Sequence, residues 1–144
     1  MAGDFLQAFQ IDILERAFGK YSTADVTAST LWVHLYATTL NDAATPATTG
    51  RCPGANYTPT NVPNTTTNWA LPTSATTSVS INKTEIPFTT SASTGWGTLK
   101  SVMVTSSSGT GGVGYTWSDL DADQTVSAGN TVKISTGALT FGLK

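Results

Sequence analysis

The residues that could do chemistry are few, and the first to weigh is "GTGGVG", Gly109 to Gly114, which fits the dinucleotide fingerprint G-x-G-x-x-G and follows the apolar run Val102-Met103-Val104. That chemistry needs the loop to open a helix whose N-terminus faces the pyrophosphate, with an acidic residue about 20 positions on for the ribose. Here "YTWSDLDADQTV" follows, with no helical period, and no Asp or Glu occurs after Asp123. The glycines therefore read as a hairpin loop that lets the chain reverse between a strand at Thr98 to Val104 and another at Val113 to Trp117. Replacing Gly111 and Gly112 by alanine is then expected to impair folding.

Asp119, Asp121 and Asp123 in "SDLDADQ" have the alternate spacing that begins an EF-hand loop. Gln124 stands where the Gly belongs and Asn130 where the closing Glu belongs, so the segment reads as a solvated acidic turn and at most a weak Ca²⁺ site. His34 is the sole histidine, which rules out a two-histidine metal site. No G-x-S-x-G elbow is present to pair it with a nucleophile, and on a strand between Trp32 and Tyr36 it reads as a packed or interface residue. Cys52 is the sole cysteine, so neither an internal disulfide nor a Cys-based zinc site can form. Three Asn-x-Thr triplets, at Asn56, Asn64 and Asn82, read as chance matches in a chain this rich in Asn and Thr. No catalytic residue and no cofactor is expected.

Composition says what kind of elements must hold these residues. The 144 residues suffice for one core, and charged residues make up 11%, against the usual ~25%. Threonine (28) and serine (14) fill the difference, and β-branched threonine favours an all-β chain whose outward positions are hydroxyls. A net charge of -2 offers no basic stripe for nucleic acid. No apolar stretch approaches the ~20 residues of a membrane helix, and the N-terminus has no signal-peptide pattern, so the chain is expected to be cytosolic when made.

One helix is expected, from Asp4 to Phe18, with Asp4 and Gln7 as a capping box, Leu6, Phe9, Ile13 and Ala17 at helical spacing, and Gly19 as its stop. Residues 31–144 should form an antiparallel β-sandwich, jelly-roll-like. "LWVHLYAT" is its clearest strand, with Leu31, Val33, Leu35 and Ala37 on one face and Trp32, His34 and Tyr36 on the other; both faces want cover. Five of the six prolines fall between about residues 41 and 78, which excludes helix and leaves an irregular excursion with one short edge strand. Further short strands are expected at Val79–Ile81, Glu85–Phe88, Gln124–Val126, Thr131–Ile134 and Ala138–Leu143, with turns at Ser93 to Gly95, Ala128 to Asn130 and Thr136-Gly137. Large aromatics on a weakly charged surface anchor interfaces. Phe5, Phe9, Trp32, His34, Tyr36 and Trp69 are the interface candidates.

In their order along the chain, "DFLQAFQIDILERAFG", "LWVHLYATTLND", "EIPFTTSASTGWGTLKSVMV", "SSGTGGVGYTW", "QTVSAGNTVKI" and "STGALTFGLK" resemble a family of small tailed-bacteriophage virion proteins, the tail-fibre or decoration proteins. Two departures are the longer Pro/Thr segment from Thr45 to Thr77 and the "SDLDAD" that follows the hairpin. The resemblance implies a non-enzymatic virion structural protein on the particle exterior, foremost a capsid decoration protein bridging major capsid protein or other virion subunits. It implies a small homo-oligomer, a trimer where capsomers meet in threes. A tail-fibre, tail-tip or collar component with a receptor or carbohydrate role is the alternative. A free-standing lectin or small hydrolase would need converging acids, for which Glu85 and Asp119 to Asp123 are the downstream candidates.

Overall fold

The structure is a computed structural model and describes residues 2–5, 29–47, 49–70, 79–90 and 94–142. The described residues are all-β, in ten strands and two sheets. Eight strands form one sheet: β1 (Ala2–Phe5), β2 (Thr30–Tyr36), β3 (Thr60–Pro63), β4 (Trp69–Ala70), β5 (Val79–Asn82), β7 (Gly97–Thr105), β8 (Gly114–Val126) and β10 (Thr140–Gly142). Their spatial order is β3-β2-β7-β8-β1-β10-β5-β4, while β6 (Ile86–Thr90) pairs with β9 (Thr131–Ile134) in a separate two-stranded sheet. Every pairing is antiparallel except β1 with β10.

The large sheet is rolled. β3 and β4 occupy its opposite edges, yet only residues 64–68 join them. An extended chain from Pro63 to Trp69 reaches about 20 Å, whereas eight flat strands would hold their outer members about 34 Å apart. The edges must therefore curl toward each other. The enclosed core takes Val33 and Leu35 from β2, Leu99, Val102 and Val104 from β7, Trp69 and Phe141 from the far side, and Ile86, Phe88 and Ile134 from the β6–β9 pair.

Period-two alternation explains β2. Val33 and Leu35 pair with Val104 and Val102 on the core face, while His34 and Tyr36 pair with Met103 and Ser101 on the other. That second face is also covered. The first part of the Pro/Thr excursion folds back over it, so that Tyr36, Met103, Leu40 and Ala44 form a second cluster with Trp117 against it. Backbone bonds from Ala37 N to Gly50 O (2.6 Å) and from Cys52 N to Leu35 O (2.8 Å) fasten the cover. The excursion contributes two short strands, β3 and β4, both at sheet edges where Pro59 and Pro63 cost no central ladder.

Three expectations change. Asp4 and Phe5, expected to begin a helix, lie in β1 between β8 and β10, where Asp4 pairs with Trp117; the rest of the expected helix lies outside the described residues. The aspartates do not form a turn. The strands expected at Val113–Trp117 and Gln124–Val126 are, from Gly114 onward, parts of one strand, β8, whose register jumps from Ser101↔Asp119 to Leu99↔Gln124. Residues 120–123 thus oppose Lys100 alone, as a bulge that lets the ladder continue on either side.

The glycine loop does join β7 to β8, but its glycines work differently from expectation. None of Gly109, Gly111 and Gly112 has a left-handed φ. Serines shape the reversal: Ser106 N donates to Val113 O (2.9 Å), Val113 N to Ser106 Oγ (2.8 Å) and Gly109 N to Ser107 Oγ (3.1 Å). A Cβ on Gly112 would lie 2.7 Å from Ser107 Cβ, whereas one on Gly111 would meet nothing within 4 Å. Thermal unfolding should therefore show Gly112→Ala destabilised by about 1–2 kcal/mol and Gly111→Ala within about 0.5 kcal/mol of wild type. Equal losses in both would make the loop's conformational freedom, not this contact, the reason for its glycines. The turns at Gly129 (φ 76°) and Gly137 (φ 78°) fall where the sequence places them.

Candidate functional site

Two adjoining features concentrate the polar chemistry of the described residues: a clamp around His34, and an open groove beside it. His34 lies on the second face of β2 and is fully buried. Arg51 Nη2 stands 2.5 Å from its Nδ1, and Nε2 lies 3.0 Å from both Thr105 Oγ1 and Ser107 O. A guanidinium only donates, so Nδ1 accepts and the ring proton sits on Nε2, facing the Ser107 carbonyl. The same Arg51 Nη2 donates to Ser108 O at 3.1 Å. His34 thus ties β2, the excursion and the base of the glycine hairpin together, as a neutral ring.

Burial, chiefly, holds the His34 pKa down at about 4 from 6.5; the Arg51 charge adds to this and the Ser107 hydrogen bond opposes it. The unfolded ring takes a proton near 6.5 and the folded one only near 4, so between these values the unfolded state binds more protons. Stability from this site is fully present above pH 6.5 and is lost as pH falls through the window. The loss should be on the order of 3 kcal/mol. Urea unfolding at pH 7 and pH 4.5 should show it in wild type and a flatter profile in His34→Gln. Parallel profiles would place the acid sensitivity elsewhere.

Trp32, two residues before His34 on the same face, is partly exposed. It borders an open groove of about 790 Å³ together with Thr58, Asn61, Pro87, Phe88 and Ser108. β-register builds this wall: Trp32 pairs with Asn61 on β3 and with Thr105 on β7. The Thr60 hydroxyl donates to Pro87 O (2.6 Å), fixing β6 beside β3. Arg51, held by His34, fixes Ser108 at the other end. Beneath lies an aromatic cluster in which Tyr57 meets Trp96 edge-on at 5.3 Å and stacks near Phe88 at 6.4 Å. Tyr57 Oη accepts from Leu35 N at 2.6 Å, and burial pushes its pKa up.

The other interface candidates sit differently. Tyr36 is buried, its hydroxyl donating to Pro46 O at 3.3 Å, and burial raises its pKa against the opposing Arg51 charge. Trp69 is buried against Phe141, with ring centroids 5.5 Å apart. His34, Tyr36 and Trp69 are therefore interior in the folded chain, whereas Trp32 is partly exposed. Phe5 is placed in β1, and Phe9 lies outside the described residues. Asp119, Asp121 and Asp123 are exposed on β8, the last two within its bulge, and Asp123 meets Lys100 at 3.5 Å. Among the described residues no three His, Cys, Asp or Glu side chains gather to hold a metal. Arg51, Asn61 and Ser108 carried no sequence signal, because each matters only through a partner from another segment.

A family model described as podophage GP4 fiber I protein gp80 matches residues 7–142 of the chain. No curated protein matches it.

Proposed function

We propose that this chain, which belongs to the podophage GP4 fiber I protein family, is a non-enzymatic structural subunit of a fibre-type appendage. Membership of that family places it among phage virion proteins, on the particle exterior. The observation that carries the proposal is the extent of the match, which takes in every strand from β2 to β10. The site chemistry supports it: both nitrogens of the sole histidine are engaged in holding the fold, and the sole cysteine is buried.

The subunit's work in this reading is to present a rigid, hydroxyl-rich β-roll and to dock on other virion subunits, as a homo-oligomer built around the appendage axis, with a trimer as the natural symmetry. The roll closed by its β6–β9 pair supports describing the fold as a jelly-roll-like sandwich. Cryo-electron microscopy of particles labelled with antibody against this chain tests the placement. Label confined to appendages is expected. Label spread over the whole head lattice would replace this reading with capsid decoration.

A further inference from the structure

We propose that the groove bordered by Trp32 is a binding site for a short neutral saccharide, a ligand-binding function added to the structural role and independent of where the subunit is mounted. Of the four tryptophans, Trp69 and Trp96 are buried, and Trp117 has its ring N–H bound to Asp42 at 3.2 Å. Trp32 keeps an open face, and its ring N–H has no hydrogen-bond partner among the described residues. A tryptophan with an apolar face and a donor at its edge suits a ring that is itself apolar on one face and polar around its rim.

The surroundings match such a ligand. Asn61, directly across the β2–β3 ladder, and Thr58 are exposed, and neither side chain bonds to another described residue. Together they offer donors and acceptors from one amide and one hydroxyl, beside the Trp32 face. The nine lining residues include no charged side chain, which leaves an anionic or cationic ligand without a partner. The volume, about 790 Å³, falls in the ~300–1,000 Å³ range of small-molecule sites. A proline-rich peptide fits less well, because its recognition uses a row of exposed aromatic slots. Here Phe88 is buried, and Trp32, itself partly exposed, is the other aromatic in the groove.

Trp32 and Asn61 would act by direct contact, and Arg51 and His34 as positioning residues that fix the Ser108 wall. The test is calorimetric and fluorescence titration of the full chain with neutral oligomers of glucose, galactose, mannose and N-acetylglucosamine, and with an oligoproline peptide. At least one oligosaccharide should bind saturably. Trp32→Ala should weaken it tenfold or more and Asn61→Ala about fivefold, with unchanged circular dichroism. Should Trp32→Ala fail to fold, Asn61→Ala, an exposed position, decides. Absence of saturable binding across the panel, unchanged affinity in the variants, or binding of the peptide alone would overturn the proposal. None of these outcomes depends on virion placement.

Discussion

Asn82→Leu should unfold the protein more readily than any other single change considered, at a cost on the order of 3–5 kcal/mol for three orphaned groups, one buried and two part-buried. Asn82 is 1% exposed and joins three pieces of chain. Its Oδ1 accepts from Leu139 N at 2.8 Å, and its Nδ2 donates to Thr84 O and Ser135 O, both at 2.9 Å. Its own backbone bonds Leu139 O at 3.1 Å and accepts from Gly137 N at 2.8 Å. Leucine matches the size but leaves the buried Leu139 N–H and two part-buried carbonyls without partners. Against a total stability of ~5–15 kcal/mol, such a loss leaves little margin. Urea denaturation should show it, and a loss below about 1 kcal/mol would mean that water reaches these groups. The same bonds leave the Asn-x-Thr triplet at Asn82 with no free amide, in keeping with its reading as a chance match.

The second large effect is steric. A Cβ on Gly54 would overlap the Trp96 ring, lying 2.5 Å from Cγ and 2.6 Å from Nε1. Gly54 has no left-handed φ, so the close approach, not backbone strain, demands glycine. Trp96 cannot swing aside: it is 1% exposed, wedged against Tyr57, and held by its backbone N–H on Val126 O at 2.9 Å. Gly54→Ala should therefore cost about 3 kcal/mol. Trp96→Phe added to it should recover part of the loss, with a coupling of about 1 kcal/mol or more. Strict additivity in that cycle would refute the contact as the cause. Since Tyr57 links Trp96 to Phe88, which lines the Trp32 groove, the change should also disturb that surface.

Strand identity was legible where alternation is strong. Residues 31–37 alternate apolar side chains on both faces, and β2 is covered on both. The loop from Ser106 to Val113 could be read as a hairpin because no helix or acidic partner follows it. β8 was misread as two strands because three aspartates and an alanine resemble a turn. The bulge opposite Lys100 lets those residues stay in a strand while facing water. β1 was misread for the opposite reason: residues 4–18 carry a helical period, and its first two positions are drawn into the gap between β8 and β10.

The candidate site divides along the same line. Trp32 was singled out as a large aromatic on a weakly charged surface, but Tyr36, singled out with it and on the same strand face, is sealed beneath Leu40 and Ala44. Alternation within a strand assigns each side chain to a face and, with the missing acidic and helical partners, was enough to read the β-strands of the described residues and the glycine loop as the reversal between two of them. It says nothing of what covers that face. The cover depends on register and packing between segments far apart in the chain: Asn61 against Trp32, Arg51 against His34, Ser108 against Arg51. Those contacts form only when the roll closes, so tertiary structure alone decided that His34 is a neutral clamp and that Trp32 keeps an open face.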